Sequence, residues 1–360
     1  MTSRPIVVLM TLLVCLLGLR GSAREQAERP AFELADGDRV VFVGSGFFEV
    51  ERRSGSLELL LTLQWPDRNY TFRNLSWSGD TVWGEARAGF DTAAEGRQRL
   101  IASVKNARPT VLILAYGANE SFAGQAGIDR FKQGLNELLD AWSDLNTRVI
   151  LCSPIAQEEL GPPLPDPAAH NRALAAYASA IRDLAHSRSA LFVDQFAFTS
   201  QWMKESAARR KTITENGGKF DVADHKGPFG PSDEASAGAL VNVPLTVDGV
   251  RLKHWGNWVV ALNTISALGM AEATAANSKN LDRYEPIRQA IIEKNRLVFD
   301  QWRPQNETYL FGFRKHEQGQ NAREVEMFTP LIQAADDRIA ALKASLNSSG
   351  SDGRGKESKP

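Results

Sequence analysis

Apolar residues in this chain fall into short unbroken runs separated by longer amphipathic stretches. Residues 39–43 (Arg-Val-Val-Phe-Val) form a β-branched run that stops at Gly44. Residues 70–75, 110–116, 148–153 and 190–194 repeat the theme, and Thr110 to Tyr116 is the clearest of them. Runs this short, rich in Val and Ile and closed by Gly, Ser or Asp, predict buried strands. Between them, residues 54–64, 95–107, 127–145 and 168–187 carry helical spacing, and residues 255–272 predict one more helix. Pro109 closes the second of these stretches. Strands alternating with helices imply right-handed crossovers and a parallel sheet covered on both faces. The expected fold is therefore a three-layer α/β/α sandwich, with ligands bound beyond the carboxyl ends of the strands.

Three stretches depart from this rhythm. Residues 197–243 are rich in Lys, Gly, Asp and Ser, and read as an insertion in a long loop, a candidate lid. Residues 283–344 read as a C-terminal extension that is helical at both ends and packs on the main domain, covering an edge. In its middle, Trp302, Tyr309, Phe311 and Phe313 interleave with Arg303, Arg314 and Lys315. Alternation at 309, 311 and 313 suggests one strand face, and Arg303 or Arg314 is a candidate to reach the mouth of a site. From Asn347 the Ser, Gly and Lys content predicts disorder.

The N-terminus adds a destination. Arg4, the apolar run Ile6 to Leu19 and the small residues Gly21-Ser22-Ala23 read as a secretory signal peptide over residues 1–23. The run is short for a bilayer span, so the protein is expected to be secreted or periplasmic with no stable membrane span. Beyond that segment only Cys152 remains, which leaves no intramolecular disulfide. It follows Val149-Ile150-Leu151 and reads as an inert core thiol. A formal net charge of -1 gives no basic surface for nucleic acid.

Four stretches after strands or in loops carry the chemistry. They are Phe42-Val43-Gly44-Ser45-Gly46-Phe47, Asn74-Leu75-Ser76-Trp77-Ser78-Gly79-Asp80-Thr81, Tyr116-Gly117-Ala118-Asn119-Glu120 and Thr246-Val247-Asp248-Gly249-Val250-Arg251-Leu252. In this order, over about residues 36–272, the chain resembles the SGNH (GDSL-type) hydrolase superfamily, whose central parallel sheet is flavodoxin-like. The resemblance implies hydrolysis of O-acyl esters, of a carbohydrate or a lipid, with no cofactor or metal and a small-molecule or polysaccharide ester as partner. It implies a serine nucleophile, a histidine base and an aspartate that orients it. It also implies oxyanion donors at the nucleophile's N–H, at Gly79 and at Asn119. Asp248 stands where the family's acid is expected.

Two positions depart from that pattern. Gly46 occupies the nucleophile's place and Arg251 the histidine's. Glycine has no nucleophile, and a guanidinium cannot serve as a base at neutral pH. Two readings follow. Ser45, one residue earlier, and His254, three residues beyond Arg251 and on the same face if that segment is helical, could form a displaced pair near Asp248. Alternatively, the chain is a catalytically silent glycan- or anion-binding protein, with Arg251 adding a fork of donors to Gly46, Gly79 and Asn119. Arg251 could also simply pair with Asp248. Trp77 and Trp83 are candidates to stack on a sugar ring, though core or lip positions suit them too. Asp166 and His170 lie in a Pro-rich loop with no supporting ligand cluster, so no metal is expected there.

Overall fold

The computed structural model describes residues 32–216, 243–270 and 282–351. The signal-peptide segment, the tail after 351 and the remainder of the expected lid, 217–242, lie outside those residues.

Five strands form one parallel sheet: β1 (Arg39–Gly44), β2 (Thr71–Asn74), β3 (Val111–Ala115), β4 (Arg148–Cys152) and β5 (Leu191–Val193). Their order is β2-β1-β3-β4-β5, the flavodoxin-like winding, which reverses direction between β1 and β3. Alternation along each strand divides the core. Val40, Phe42, Val111 and Ile113 face one hydrophobic layer, while Val41, Val43, Leu112 and Leu114 face the other. All eight are almost fully buried, as a sheet sandwiched between helices requires.

The first layer is closed by α1 (Gly46–Ser54), α2 (Ser56–Gln64), α6 (Gln195–Glu215), α7 (His254–Ala267) and α8 (Glu285–Trp302). The second is closed by α3 (Ala93–Ala107), α4 (Ile128–Ala141) and α5 (Ala168–Ser187). Helix α3 begins where its sequence says it should. Thr92 Oγ accepts from Glu95 N at 3.3 Å, while the Glu95 carboxylate accepts from Thr92 N at 2.8 Å. This capping box satisfies two backbone donors at once.

Two expectations are corrected. The stretch from residue 197 does not open as a loop, because Gln195–Glu215 is a continuous helix. Asp194 caps it by accepting from Ala197 N at 2.9 Å. Its buried face, Gln195, Phe198, Thr199, Trp202, Met203 and Ser206, is half polar, which hides the apolar period. The second correction concerns 309–313. A helical turn over Glu307–Leu310 replaces the expected strand, with Tyr309 N and Leu310 N both bonded to Asn306 O. Only Leu310 turns inward, and Phe311 and Phe313 are exposed.

The C-terminal helices are part of the core. Ile287, Ala290 and Ile291 of α8 belong to the first layer. Helix α9 (Phe328–Ser351) packs on α8, and Asp336 pairs with Arg73 of edge strand β2 at 2.7 Å. The open edge of the sheet is thus covered, as such edges need to be. Cys152 is buried in this layer, and burial pushes its thiol up to about 12, which leaves it unreactive at neutral pH.

Candidate functional site

The winding reverses between β1 and β3, so the chain diverges beyond their carboxyl ends and leaves a crevice there. Gly44 closes β1 against β3 so tightly that a Cβ would stand 2.4 Å from Ala115 O. That contact admits only glycine and fixes where the next two residues emerge. Ser45 precedes α1 but makes no side-chain capping bond, and its N–H bonds back to Ala115 O at 3.4 Å. The start of α1 at Gly46 lines the crevice and carries the partial positive charge of a helix start.

A cavity of about 280 Å³ occupies this place, and Ser45, Gly46, Gly79, Asn119 and Arg251 all line it. That lies at the small end of ligand pockets, roughly 300 Å³ upward. Gly79 has a left-handed backbone, φ 80°, and open space around its Cα. Asn119 donates one amide hydrogen to Asp80 O at 2.6 Å, which aims the rest of its amide. The loop beneath is stiffened by a fully buried pair, Arg87 to Asp80 at 2.7 Å. Arg87 also donates to Leu75 O and Tyr116 donates to Asp80, at 2.8 and 3.1 Å. Glu120 ties two of the loops together by accepting from Val82 N and Gly117 N at 2.8 and 2.9 Å. Its burial pushes the carboxyl up to about 7.

Asp248 and His254 are not brought to the cavity. Asp248 is exposed and builds a turn, its Oδ1 accepting from Val250 N at 3.1 Å and Arg251 N at 2.7 Å. The helix that could have set His254 on the face of Arg251 begins only at His254 itself. The imidazole is exposed at that helix start. Arg251 extends over the mouth, 62% exposed, with its nearest carboxylate oxygen, on Asp248, at 3.8 Å. Among the described residues that distance leaves the guanidinium without a tight carboxylate partner.

The cavity also holds residues that the sequence gave no role. Arg53 and Glu49 of α1 line it, and Glu49 lies 3.6–3.9 Å from Arg52, Arg53 and Arg303. Arg303 of the extension thus touches the wall rather than the cavity, and its guanidinium stacks on Trp77 at 3.5 Å. Arg314 instead pairs with Glu317. Trp77 and Trp83 do not line the cavity. Trp77 packs on Trp302, and Trp83 lies under Arg130.

His170 does line it, held by Ser121 Oγ at 2.8 Å from Nε2 and Gln157 Oε1 at 2.8 Å from Nδ1. Burial lowers its pKa, so the ring is neutral at pH 7. Its two nitrogens are engaged by Ser121 and Gln157 rather than by Ser45. Among the described residues no group of three or more His, Cys, Asp or Glu is placed to hold a metal ion.

The sequence matches the GDSL-like lipase/acylhydrolase family over residues 46–225, half of its length. The chain belongs to that family. Among solved structures it is similar to BT4096, a gut microbial diltiazem-metabolizing enzyme, at 11% identity. That match covers 87% of this chain and 97% of that one, with a TM-score of 0.52. It is also similar to Axe2, an acetylxylan esterase from Geobacillus stearothermophilus, at 17% identity. There the coverage is 66% and 97%, with a TM-score of 0.44. At these identities the likeness is one of fold. No functionally curated protein matches.

Proposed function

We propose that this chain is a ligand-binding protein on an acylhydrolase scaffold, holding the oxygens of a carboxylate or acyl group without cleaving it. The observation that carries this reading is the composition of the cavity. It keeps the parts that bind an oxyanion, namely the start of α1 at Gly46, together with Gly79 and Asn119, and adds Arg53 and Arg251 at the rim. Among the described residues the histidine that lines it, His170, is bonded to Ser121 and Gln157 and not to the Ser45 hydroxyl. Without a base, a serine hydroxyl is a poor nucleophile, whereas preorganised N–H donors and a helix start bind an anion as they stand. Membership of a lipase/acylhydrolase family makes an ester or its acid product the natural ligand class. Residues 1–23 support export, and among the described residues no helix is long and apolar enough to cross a membrane.

Calorimetric titration of the folded protein with acetate, alongside a p-nitrophenyl acetate hydrolysis assay, tests this reading. Saturable acetate binding that weakens in Arg251→Ala and with added salt, at a hydrolysis rate no higher than buffer, is the expected result. Turnover abolished by Ser45→Ala would overturn it.

A further inference from the structure

The binding reading leaves open what the rest of the cavity is shaped for, and the wall opposite α1 answers that. Phe122 is 73% exposed, unusual for so large an apolar side chain, and it lines the cavity. It does not hang free. Its ring stacks on His170 with centroids 4.2 Å apart and planes 22° from parallel. His170 is fixed at both nitrogens, by Ser121 and by Gln157. Gln157 is in turn pinned through its backbone. Its N–H donates to Asn171 Oδ1 and its carbonyl accepts from Asn171 Nδ2, each at 2.8 Å. A chain of hydrogen bonds therefore fixes the imidazole on which the Phe122 ring stacks, and among the described residues the outer side of that ring is left open.

Around this shelf the lining is largely apolar, with Val50, Ile155, Leu174 and Val250 contributing. A sugar ring needs several hydroxyl partners, and burying polar groups without them is costly. A flat apolar ring needs none and gains from an offset stack on an aromatic face. The anionic end has its own place, since two guanidinium groups line the cavity, Arg53 and Arg251, against the single carboxylate of Glu49.

We propose that the site takes an aromatic carboxylate, with its ring stacked on the Phe122–His170 shelf and its acid group held by the start of α1, Asn119 and Arg251. This rests on the binding reading and deepens it. His170 is then a wall of the site, and Phe122 selects the ligand.

The test is calorimetric titration with trans-cinnamate, acetate and D-glucuronate, on the wild type, Phe122→Ala, Phe122→Trp and Asn119→Ala. Cinnamate should bind more tightly than acetate or glucuronate. Phe122→Ala should weaken cinnamate roughly tenfold or more and acetate, which has no ring to stack, far less, with Tm little changed because the side chain is exposed. Phe122→Trp should retain cinnamate affinity. Equal affinity for cinnamate and acetate, or no effect of Phe122→Ala, would overturn the shelf and leave the binding reading standing. Glucuronate bound as tightly as cinnamate, with both weakened by Phe122→Ala, would overturn the choice of an aromatic ring. Failure of all three ligands to bind, with Asn119→Ala indistinguishable from wild type, would sink the binding reading itself.

Discussion

Glu51 sits where water does not reach, and its surroundings choose its proton. Its carboxylate accepts from Leu57 N, Glu58 N and Asn257 Nδ2, at 2.8, 3.1 and 2.6 Å. Burial outweighs these donors and pushes the group up from 4.5 to about 7. The folded state therefore binds an extra proton between those values. The stability this confers is complete below the unfolded pKa and is lost as pH rises through about 7. Glu120, shifted the same way, adds to the effect. Thermal stability should fall from pH 5 to pH 8 on account of these two groups. Glu51→Gln should flatten that slope and stabilise the protein at pH 8 by about 1–3 kcal/mol. The amide fits because Asn257 Oδ1, which lacks a hydrogen-bond partner, can turn to accept from it. Scanning calorimetry across the range decides the matter, and an unchanged slope would refute the assignment.

At the scale of elements, α8 is locked to α2 by a buried ion pair. Lys294 Nζ stands 2.5 Å from Glu58 Oε1 and donates to Phe72 O at 3.1 Å. Asn295 reaches the second carboxylate oxygen at 3.1 Å. Both side chains are almost wholly buried, so removing one partner strands the other. Lys294→Met should cost about 3–5 kcal/mol, and Lys294→Met combined with Glu58→Met should recover much of it. Urea unfolding of the single and double variants measures this. An equal loss in both would mean that packing, rather than charge, holds the helix. This element also shows how far the sequence could be read. The helical spacing from residue 283 onward was plain. A lysine, however, reads as a solvent residue, and nothing local reveals that position 294 lies under β2, more than two hundred residues earlier in the chain. The first half of 197–243 was missed for a related reason, since the buried face of α6 is too polar to show a period.

At the scale of the whole molecule, the parallel winding decides where the site lies, and that much was legible. Of the residues in the four blocks, which follow strands or sit in loops, Ser45, Gly46, Gly79, Asn119 and Arg251 line one cavity. The positions of Asp248 and His254 were not legible, because they depend on a turn that ends before α7 begins. The shelf was hidden as well. Ser121, Gln157 and His170 come from three separate segments, and no spacing in the sequence links them.

The proposal at stake is that this acylhydrolase fold binds without turnover, with Gly46 and Arg251 standing at the nucleophile and base positions. Reaction with a fluorophosphonate serine probe, read by intact mass and peptide mapping, tests it most directly. The comparison is between the wild type and a Gly46→Ser, Arg251→His double variant. A Cβ at position 46 meets no atom within 4 Å, so the new side chain has room. The wild type should carry no adduct, and the double variant should be labelled at position 46. A stoichiometric adduct on Ser45 of the folded wild type, lost in His254→Ala or His170→Ala, would contradict the account and establish a working serine in its place.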